Sequence, residues 1–360
     1  MDYQFDRNKQ QILIEGKAFS RKDFKGKEPS RFFASNVLSD LYVFLHEWFN
    51  DEDFVWVKTS GSTGTPKPFK ADKMRMMQSA GMTCSFLGLT PGSTALLCMK
   101  MDYIAGKMVV VRSLIAGLNL IVVATSGNPL REIEMPIDFA ALVPLQVYNS
   151  LQNPAEKEKL ANIRHLIIGG GAIDEKMAGM LKSFPNAVYS TYGMTETLSH
   201  IALRRLSGNH ASEFYTPLEG VKLSISAEGT LIVEAPRVSS QSLTTNDMVE
   251  LHPDQQFKIL GRKDNIINSG GIKIQIEEVE RLLRPLLGDS FAITSLPDPK
   301  FGEIVVLATT ESVDEFVVKT YLPAYYQPKS IIRIEKLPFT ETGKIERRKL
   351  KELVKDIFSQ

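Results

Sequence analysis

Between Phe54 and Thr191 the chain repeats one pattern, a short apolar run followed by a stretch long enough for a helix. The runs at Phe54–Lys58, 94–99, 118–124, 139–143, His165–Ile168 and 187–191 span four to seven residues, the length of a strand and too short for a helix. Helices are predicted over 105–116, 145–152 and 174–183, and over a segment that Asp72 caps and that ends near Leu87. On that last helix Met74, Met77, Met82 and Phe86 recur at helical spacing and read as core. Strands apolar on both faces are buried on both faces. The fold class is therefore α/β, a sheet covered by helices. Ligands on such sheets sit beyond the C-terminal ends of the strands.

The texture changes after about residue 215. Ala227-Glu228-Gly229 separates strands predicted at 221–226 and 230–235, and His252-Pro253-Asp254 separates those at 248–251 and 256–260. Both are hairpin signals and predict a β subdomain. From Gly261 onward the pattern is a helix at Ile276–Leu287, strands near 291–295 and 303–309, a helix at 313–322, a strand at 330–335 and a terminal helix from Ile345. That reads as a small α+β domain. The 360 residues exceed one core, and the expected division is a large domain over 1–260, its β subdomain at about 215–260, and a small domain over 261–360.

Composition excludes several partners. With 43 basic and 42 acidic residues there is no charge bias toward nucleic acid. Two cysteines, Cys84 and Cys98, both in apolar segments, make neither a disulfide framework nor a structural zinc site. The N-terminus is polar and unlike a signal peptide, and the longest apolar stretch, 108–124, is broken by Arg112 and Asn119. The expectation is a cytoplasmic protein with no stable membrane insertion.

Five stretches carry chemistry. Thr59-Ser60-Gly61-Ser62-Thr63-Gly64-Thr65-Pro66-Lys67 follows a predicted strand. Its glycines let backbone N–H groups converge, its hydroxyls can donate to phosphate oxygens, and Lys67 adds a charge. The usual nucleotide P-loop is excluded, because Thr65-Pro66 separates glycine from lysine. A plain surface turn is the competing reading. Tyr192-Gly193-Met194-Thr195-Glu196 closes another strand, where Glu196 offers oxygen to Mg²⁺ and Thr195 a hydroxyl to phosphate; a capped turn would look the same. Thr245-Asn246-Asp247 presents a carboxylate that suits ribose hydroxyls or a simple turn. The stretch from Gly261 to Lys273 sits at the domain boundary, and Lys344 follows Gly343 in a loop near the C-terminus.

In this order the five stretches resemble the adenylate-forming superfamily of acyl- and aryl-CoA synthetases, luciferases and peptide-synthetase adenylation domains. The resemblance covers about residues 55–350. It implies a large domain plus a small mobile one, and the substrates ATP, CoA and a small carboxylic acid, with Mg²⁺. It implies that Thr59, Ser60, Gly61, Ser62, Thr63, Gly64 and Lys67 hold the ATP phosphates, and that Gly170, Gly171 and Ala172 lie beside adenine and the acyl group. Tyr192 and Gly193 would border adenine, Thr195 would bind the α-phosphate, and Glu196 would hold the metal. Asp247 and Arg262 would grip the ribose, and Asp264 would be the hinge. Gly270 and Gly271 would approach the pantetheine arm, and Lys344 would act in adenylation.

The chain also departs from the family pattern. The phosphate loop comes early, so a shortened N-terminal region is expected. Tyr103 stands where the family's acyl-pocket segment carries histidine, three residues before Gly106. The short N-terminal part, the segment from Tyr103 to Met108, and Tyr192 through Ile201 most resemble o-succinylbenzoate–CoA ligases of menaquinone biosynthesis. That acid has a second carboxylate, which needs a cation or several donors. Lys107, Arg112, His200 and Arg204 lie in the candidate segments, with Tyr103 and Gly106 lining the pocket. A ligase for another acid, a firefly-type oxygenase and a non-catalytic nucleotide-binding relative stay open at this point; retention of Lys344, Glu196, Asp247 and Arg262 speaks against the last.

Overall fold

The computed structural model describes residues 3–24, 36–58, 68–339 and 345–358, with the side chains of Asn36 and Val37 set aside. The chain forms two compact units. The first comprises Met1–Lys222, Glu234–Ser242 and Asp254–Gln256; the second comprises Leu223–Val233, Leu243–Pro253 and Phe257–Gln360.

In the first unit the elements run β1 (Gln11–Ile14), β2 (Lys17–Ser20), α1 (Arg21–Phe24), α2 (Asn36–Phe49), β3 (Phe54–Lys58), β4 (Pro68–Asp72), α3 (Lys73–Leu87), β5 (Thr94–Leu97) and α4 (Ile104–Ala116). They continue with β6 (Asn119–Val122), β7 (Phe139–Leu142), α5 (Pro144–Gln152), α6 (Pro154–Asn162), β8 (His165–Ile168), α7 (Glu175–Lys182), β9 (Ala187–Gly193), β10 (His200–Arg205) and β11 (Thr216–Pro217). Nine strands form one sheet in the order β11-β10-β9-β8-β7-β5-β6-β1-β2. Its centre, β6-β5-β7-β8-β9, is parallel. Chain order reverses between β5 and β7, so the crevice for a ligand lies where the carboxyl ends of those two strands part. One core packs Leu96, Leu142, Ile168 and Val188 of the strands against Val147, Leu160 and Leu181 of α5, α6 and α7.

Two expectations are corrected. The strand at Phe54–Lys58 forms, but not in the main sheet: it pairs antiparallel with β4, from Phe54↔Asp72 to Lys58↔Pro68. Its burial alternates, Val55 and Val57 inward and Trp56 and Lys58 outward, as in a half-exposed hairpin rather than a central strand. The main sheet instead extends through β1 and β2, which the sequence reading did not place. On α3, Asp72 caps as expected, its carboxylate accepting from Arg75 N at 2.8 Å. Met77 and Met82 are buried, but Met74 and Phe86 are exposed. The inward stripe is filled by Met76, Ala80, Thr83 and Cys84, and the smaller of these let α3 pack close against α4.

The second unit begins with an antiparallel sheet of β12 (Lys222–Ile225), β13 (Thr230–Glu234), β14 (Leu243–Leu251) and β15 (Phe257–Arg262). It continues with β16 (Ile266–Ser269), β17 (Ile272–Gln275), α8 (Ile276–Leu287), β18 (Phe291–Asp298), β19 (Gly302–Thr309), α9 (Glu315–Thr320), β20 (Ser330–Arg333) and α10 (Arg347–Phe358). The five strands β17-β16-β19-β18 and β20 make a second sheet, with β20 parallel to β19. Ile276, Val279 and Leu283 bury one stripe of α8, and Leu350 and Val354 one stripe of α10. Each such side chain stabilises the unit by roughly 1.5–3 kcal/mol. The α/β sheet, the β subdomain and the α+β segment are thus as the sequence predicts. Among the described residues no helix is long and apolar enough to cross a membrane.

Candidate active site

Two strand ends of the first unit bring the predicted nucleotide residues together. Ile168 and Ser190 are partners on the parallel strands β8 and β9, so Gly169 through Ala172 and Thr191 through Gly193 leave the sheet side by side. A side chain on Gly169 would lie 2.5 Å from Thr191 Oγ1, and one on Gly171 3.2 Å from Pro144. Gly170 takes φ +83°, a conformation that glycine adopts without strain. These glycines let the backbone of two strands and α5 converge, leaving Gly170 and Ala172 exposed. Tyr192 is buried, and its ring meets Tyr215 edge-on at 6.0 Å, so it presents little of its surface.

The next turn holds Thr195 and Glu196. Thr197 Oγ1 accepts from Met194 N at 3.0 Å and lies 2.8 Å from Ser199 O, so Thr197 is the capping residue and is fully buried. Glu196 is exposed and Thr195 partly so. A side chain on Gly193 would fall 2.4 Å from Ser199 O, so glycine is needed for β9 to pass the returning chain. Among the described residues no cluster of three or more His, Cys, Asp or Glu could hold a metal by itself. A lone exposed carboxylate fits Mg²⁺, which is held by one or two protein oxygens together with substrate phosphates.

Behind this turn lies a buried cation. Arg112, on α4, is 2 % exposed. Its Nη2 donates to Ser199 Oγ at 2.8 Å and lies 3.4 Å from Thr83 Oγ1, while Nε is buried with no partner among the described residues. Phe139 lies 5.9 Å away beneath the guanidinium. Burial pulls its pKa down to about 10, so it keeps its charge at neutral pH. The Cys84 thiol pulls the other way, but burial pushes that thiol up to about 12 and leaves it neutral. Among the described residues no carboxylate pairs with Arg112. Desolvating such a charge costs several kcal/mol unless an anion meets it.

His200 completes the group, its Nε2 sharing a hydrogen bond with Thr83 Oγ1 at 3.0 Å. Burial, and then the charge of Arg112, holds the imidazole well below its ordinary 6.5. The unfolded chain therefore takes up a proton near 6.5 that the folded chain refuses, and stability is lost as pH falls below that value. His165 is lowered too, first by burial, so the native slope is shared. His200→Gln is expected to flatten the fall in unfolding midpoint between about pH 7 and 5, measured by urea denaturation. An unchanged slope would mean that His200 is not held neutral.

Of the other two cations of the candidate segments, Lys107 pairs with Glu47 at 3.5 Å, while Arg204 stacks on Tyr215 at 5.4 Å and, like Arg112, keeps a buried Nε with no partner among the described residues. Tyr103 precedes α4, and Gly106 sits where a side chain would lie 2.6 Å from Lys100 O.

In the second unit Asp247 and Arg262 face each other across β14 and β15. Arg262 Nη1 lies 3.4 Å from Asp247 Oδ1, and its Nε and Nη2 fork onto Asp264 at 2.9 and 3.0 Å. Hydrogen bonding to Asp264 raises the Arg262 pKa. Burial pushes the Asp264 carboxyl up, but the Arg262 hydrogen bonds outweigh it and the net shift is downward. Gly270 and Gly271 form the two-residue turn between β16 and β17, with φ +58° and +84°, the geometry of a tight hairpin. The turn alone requires both glycines.

Thr59, Ser60, Gly61, Ser62, Thr63, Gly64, Lys67 and Lys344 lie outside the described residues. Thr83, Ser199 and Glu47 are site-region residues that the sequence reading did not assign. Ser199 lies within a quoted motif, but Thr83 and Glu47 carry no local signal.

Residues 8–231 match the family of AMP-binding enzymes. The 2-succinylbenzoate–CoA ligase of Listeria monocytogenes serotype 4b (strain F2365) is 27% identical over 327 residues, covering 82% of this chain and 68% of that protein. An acyl-CoA synthetase (AMP-forming)/AMP-acid ligase II-like protein from Dyadobacter fermentans is 32% identical, with a TM-score of 0.64 over 92% of this chain and 97% of that one. A variant of Escherichia coli MenE with bound OSB-AMS is 25% identical, with a TM-score of 0.65 over 83% of this chain and 68% of that one. The family match spans most of the first unit, and the Dyadobacter protein aligns along nearly its whole length. The chain belongs to the family of AMP-binding enzymes and is an AMP-forming acyl-CoA synthetase.

Proposed function

We propose that the acid is o-succinylbenzoate and that the product is o-succinylbenzoyl-CoA, an intermediate of menaquinone biosynthesis. The observation that carries this reading is Arg112, a buried, charged guanidinium with no carboxylate among its described partners, tied through Ser199 to the turn of Thr195 and Glu196. A monocarboxylate is consumed at its one carboxylate and leaves such a cation uncompensated. A dicarboxylate supplies one group for activation and one for Arg112. The similarity to the Listeria ligase supports the same choice.

In this reading the substrate carboxylate attacks the α-phosphorus of ATP, and pyrophosphate leaves. The CoA thiol then attacks the acyl-adenylate carbonyl, and AMP leaves. The loop from Thr59 to Lys67 would hold the β- and γ-phosphates. Gly170, Gly171, Ala172, Tyr192 and Gly193 would border the adenine and acyl groups, with Tyr103, Gly106 and His200 around the acid. Thr195 would donate to the α-phosphate, and Asp247 with Arg262 would hold the ribose. Glu196 would hold Mg²⁺, which when bound supplies positive charge beside the phosphates. Asp264 would be the hinge about which a small domain from residue 261 turns, and Gly270 with Gly271 would border the pantetheine arm in the second step. The proposed setting is the cytoplasm.

The test is product analysis with ATP, CoA and a panel of o-succinylbenzoate, benzoate and a medium-chain fatty acid. The expected result is AMP and a CoA thioester with o-succinylbenzoate alone. Equal thioester yield from benzoate or the fatty acid would discard the assigned acid.

A further inference from the structure

Four polar side chains meet behind the turn of Thr195 and Glu196. Thr83 lies on α3 and Arg112 on α4, two helices that pack together, and Ser199 and His200 lead into β10. Thr83 has no exposed surface and His200 only 6 %, so their donors and acceptors have to be matched by protein groups.

The bond to Ser79 decides how they match. Thr83 Oγ1 donates its one hydrogen to Ser79 O at 3.2 Å. Toward His200 Nε2, 3.0 Å away, it can then only accept, which places the imidazole hydrogen on Nε2. Burial holds His200 neutral, so Nδ1 keeps a bare lone pair. The Ser199 hydroxyl, 3.4 Å from Nδ1, donates to it. The lone pairs of Ser199 then face Arg112 Nη2, which donates at 2.8 Å. The remaining Thr83 lone pair accepts from the same amino group at 3.4 Å. Both oxygens that Arg112 meets therefore turn their own hydrogens elsewhere.

An arginine held in this way is oriented without being neutralised. A carboxylate partner would cancel the charge, whereas two hydroxyls and a neutral imidazole fix the guanidinium and leave its charge for an incoming anion. Phe139 supports the group 5.9 Å away. Such pre-organisation raises affinity by removing an ordering cost at binding.

We propose that Thr83 is a positioning residue for recognition of the acid's second carboxylate, acting on Arg112 directly and through the hydrogen that His200 carries on Nε2. This rests on the reading of Arg112 as the partner of that carboxylate. Thr83→Val keeps the branched shape and removes the hydroxyl. It is expected to raise KM for o-succinylbenzoate about tenfold, the scale of one hydrogen bond to a charged group. KM for ATP should stay near native, and Thr83→Ser, which keeps the hydroxyl, should restore KM for the acid. Heteronuclear NMR of the histidine ring nitrogens reads the tautomer, with His200 assigned by the signal missing in His200→Gln. The native ring should carry its hydrogen on Nε2. In Thr83→Val the hydrogen should move to Nδ1, where Ser199 accepts it, and Thr83→Ser should return it. If Thr83→Val does not fold, as thermal unfolding would report, Thr83→Ala carries the test with the same expectation. An unchanged acid KM in the folded variant overturns the inference, as do equal rises for ATP and acid, or a native ring with its hydrogen on Nδ1. Arg112→Met tells the two readings apart. If it raises KM for o-succinylbenzoate while Thr83→Val does not, only the positioning role falls. If it leaves that KM unchanged, the role of Arg112 in reading the acid falls, and the inference with it.

Discussion

Lys344→Ala is expected to lower acid-dependent adenylation by a factor on the order of 10²–10³, the cost of deleting one donor aimed at developing charge. Negative charge gathers at the α-phosphorus as carboxylate and pyrophosphate oxygens share it, and an ammonium placed there acts most strongly in the transition state. The described residues on both sides of Lys344 are well held. Phe339 bridges Ile345, Glu346 N donates to Pro338 O at 2.9 Å, and Arg347 forks onto Glu280 at 2.6 and 2.7 Å. Thioester formation from preformed acyl-adenylate should survive much better, because the thiol attacks the carbonyl carbon and no pentavalent phosphorus forms. Single-turnover assays of the two half-reactions make the comparison. An equal fall in both would contradict a lysine that serves one step.

Arg112→Met is expected to lower turnover of o-succinylbenzoate on the order of 10²-fold, in line with the 2–5 kcal/mol cost of removing one partner of a buried charge pair. Any slow turnover of benzoate, which has no second carboxylate, should be unchanged. The unliganded variant should unfold at the native temperature or above it. The native chain carries a desolvated guanidinium whose described partners are hydroxyls, and an apolar side chain of similar length removes that cost. Thermal unfolding and steady-state kinetics on the same samples test both halves. A lower unfolding temperature with equal losses for both acids would make Arg112 a structural residue.

Both expectations draw on what the sequence makes legible and what it hides. The strands β5 to β8 are apolar on both faces, and that signal is local, so their existence is readable from the sequence. The resemblance names Asp247 and Arg262 for one ribose; that they face each other follows from the register of β14 and β15. The hairpin of β3 and β4 was misplaced because five residues with two inward valines look alike in a central strand and at a half-exposed edge. The strands β1 and β2 went unread because each has only four residues and owes its place to β6 and to the other. The inward face of α3 was misjudged because methionine and phenylalanine tolerate exposure, whereas packing against α4 selects Ala80 and Thr83. Arg112 was visible as a charge in an apolar helix. That its partners are Ser199 and Thr83, 87 and 29 residues away in the chain, follows only from the tertiary structure.

Acid-dependent exchange of pyrophosphate into ATP tests the central claim most directly, because it reads the first half-reaction without CoA. The account predicts exchange with o-succinylbenzoate, loss of that exchange in Arg112→Met, and none with benzoate, a medium-chain fatty acid or amino acids at matched concentration. Absence of exchange with every acid, in protein that binds ATP, would contradict the account.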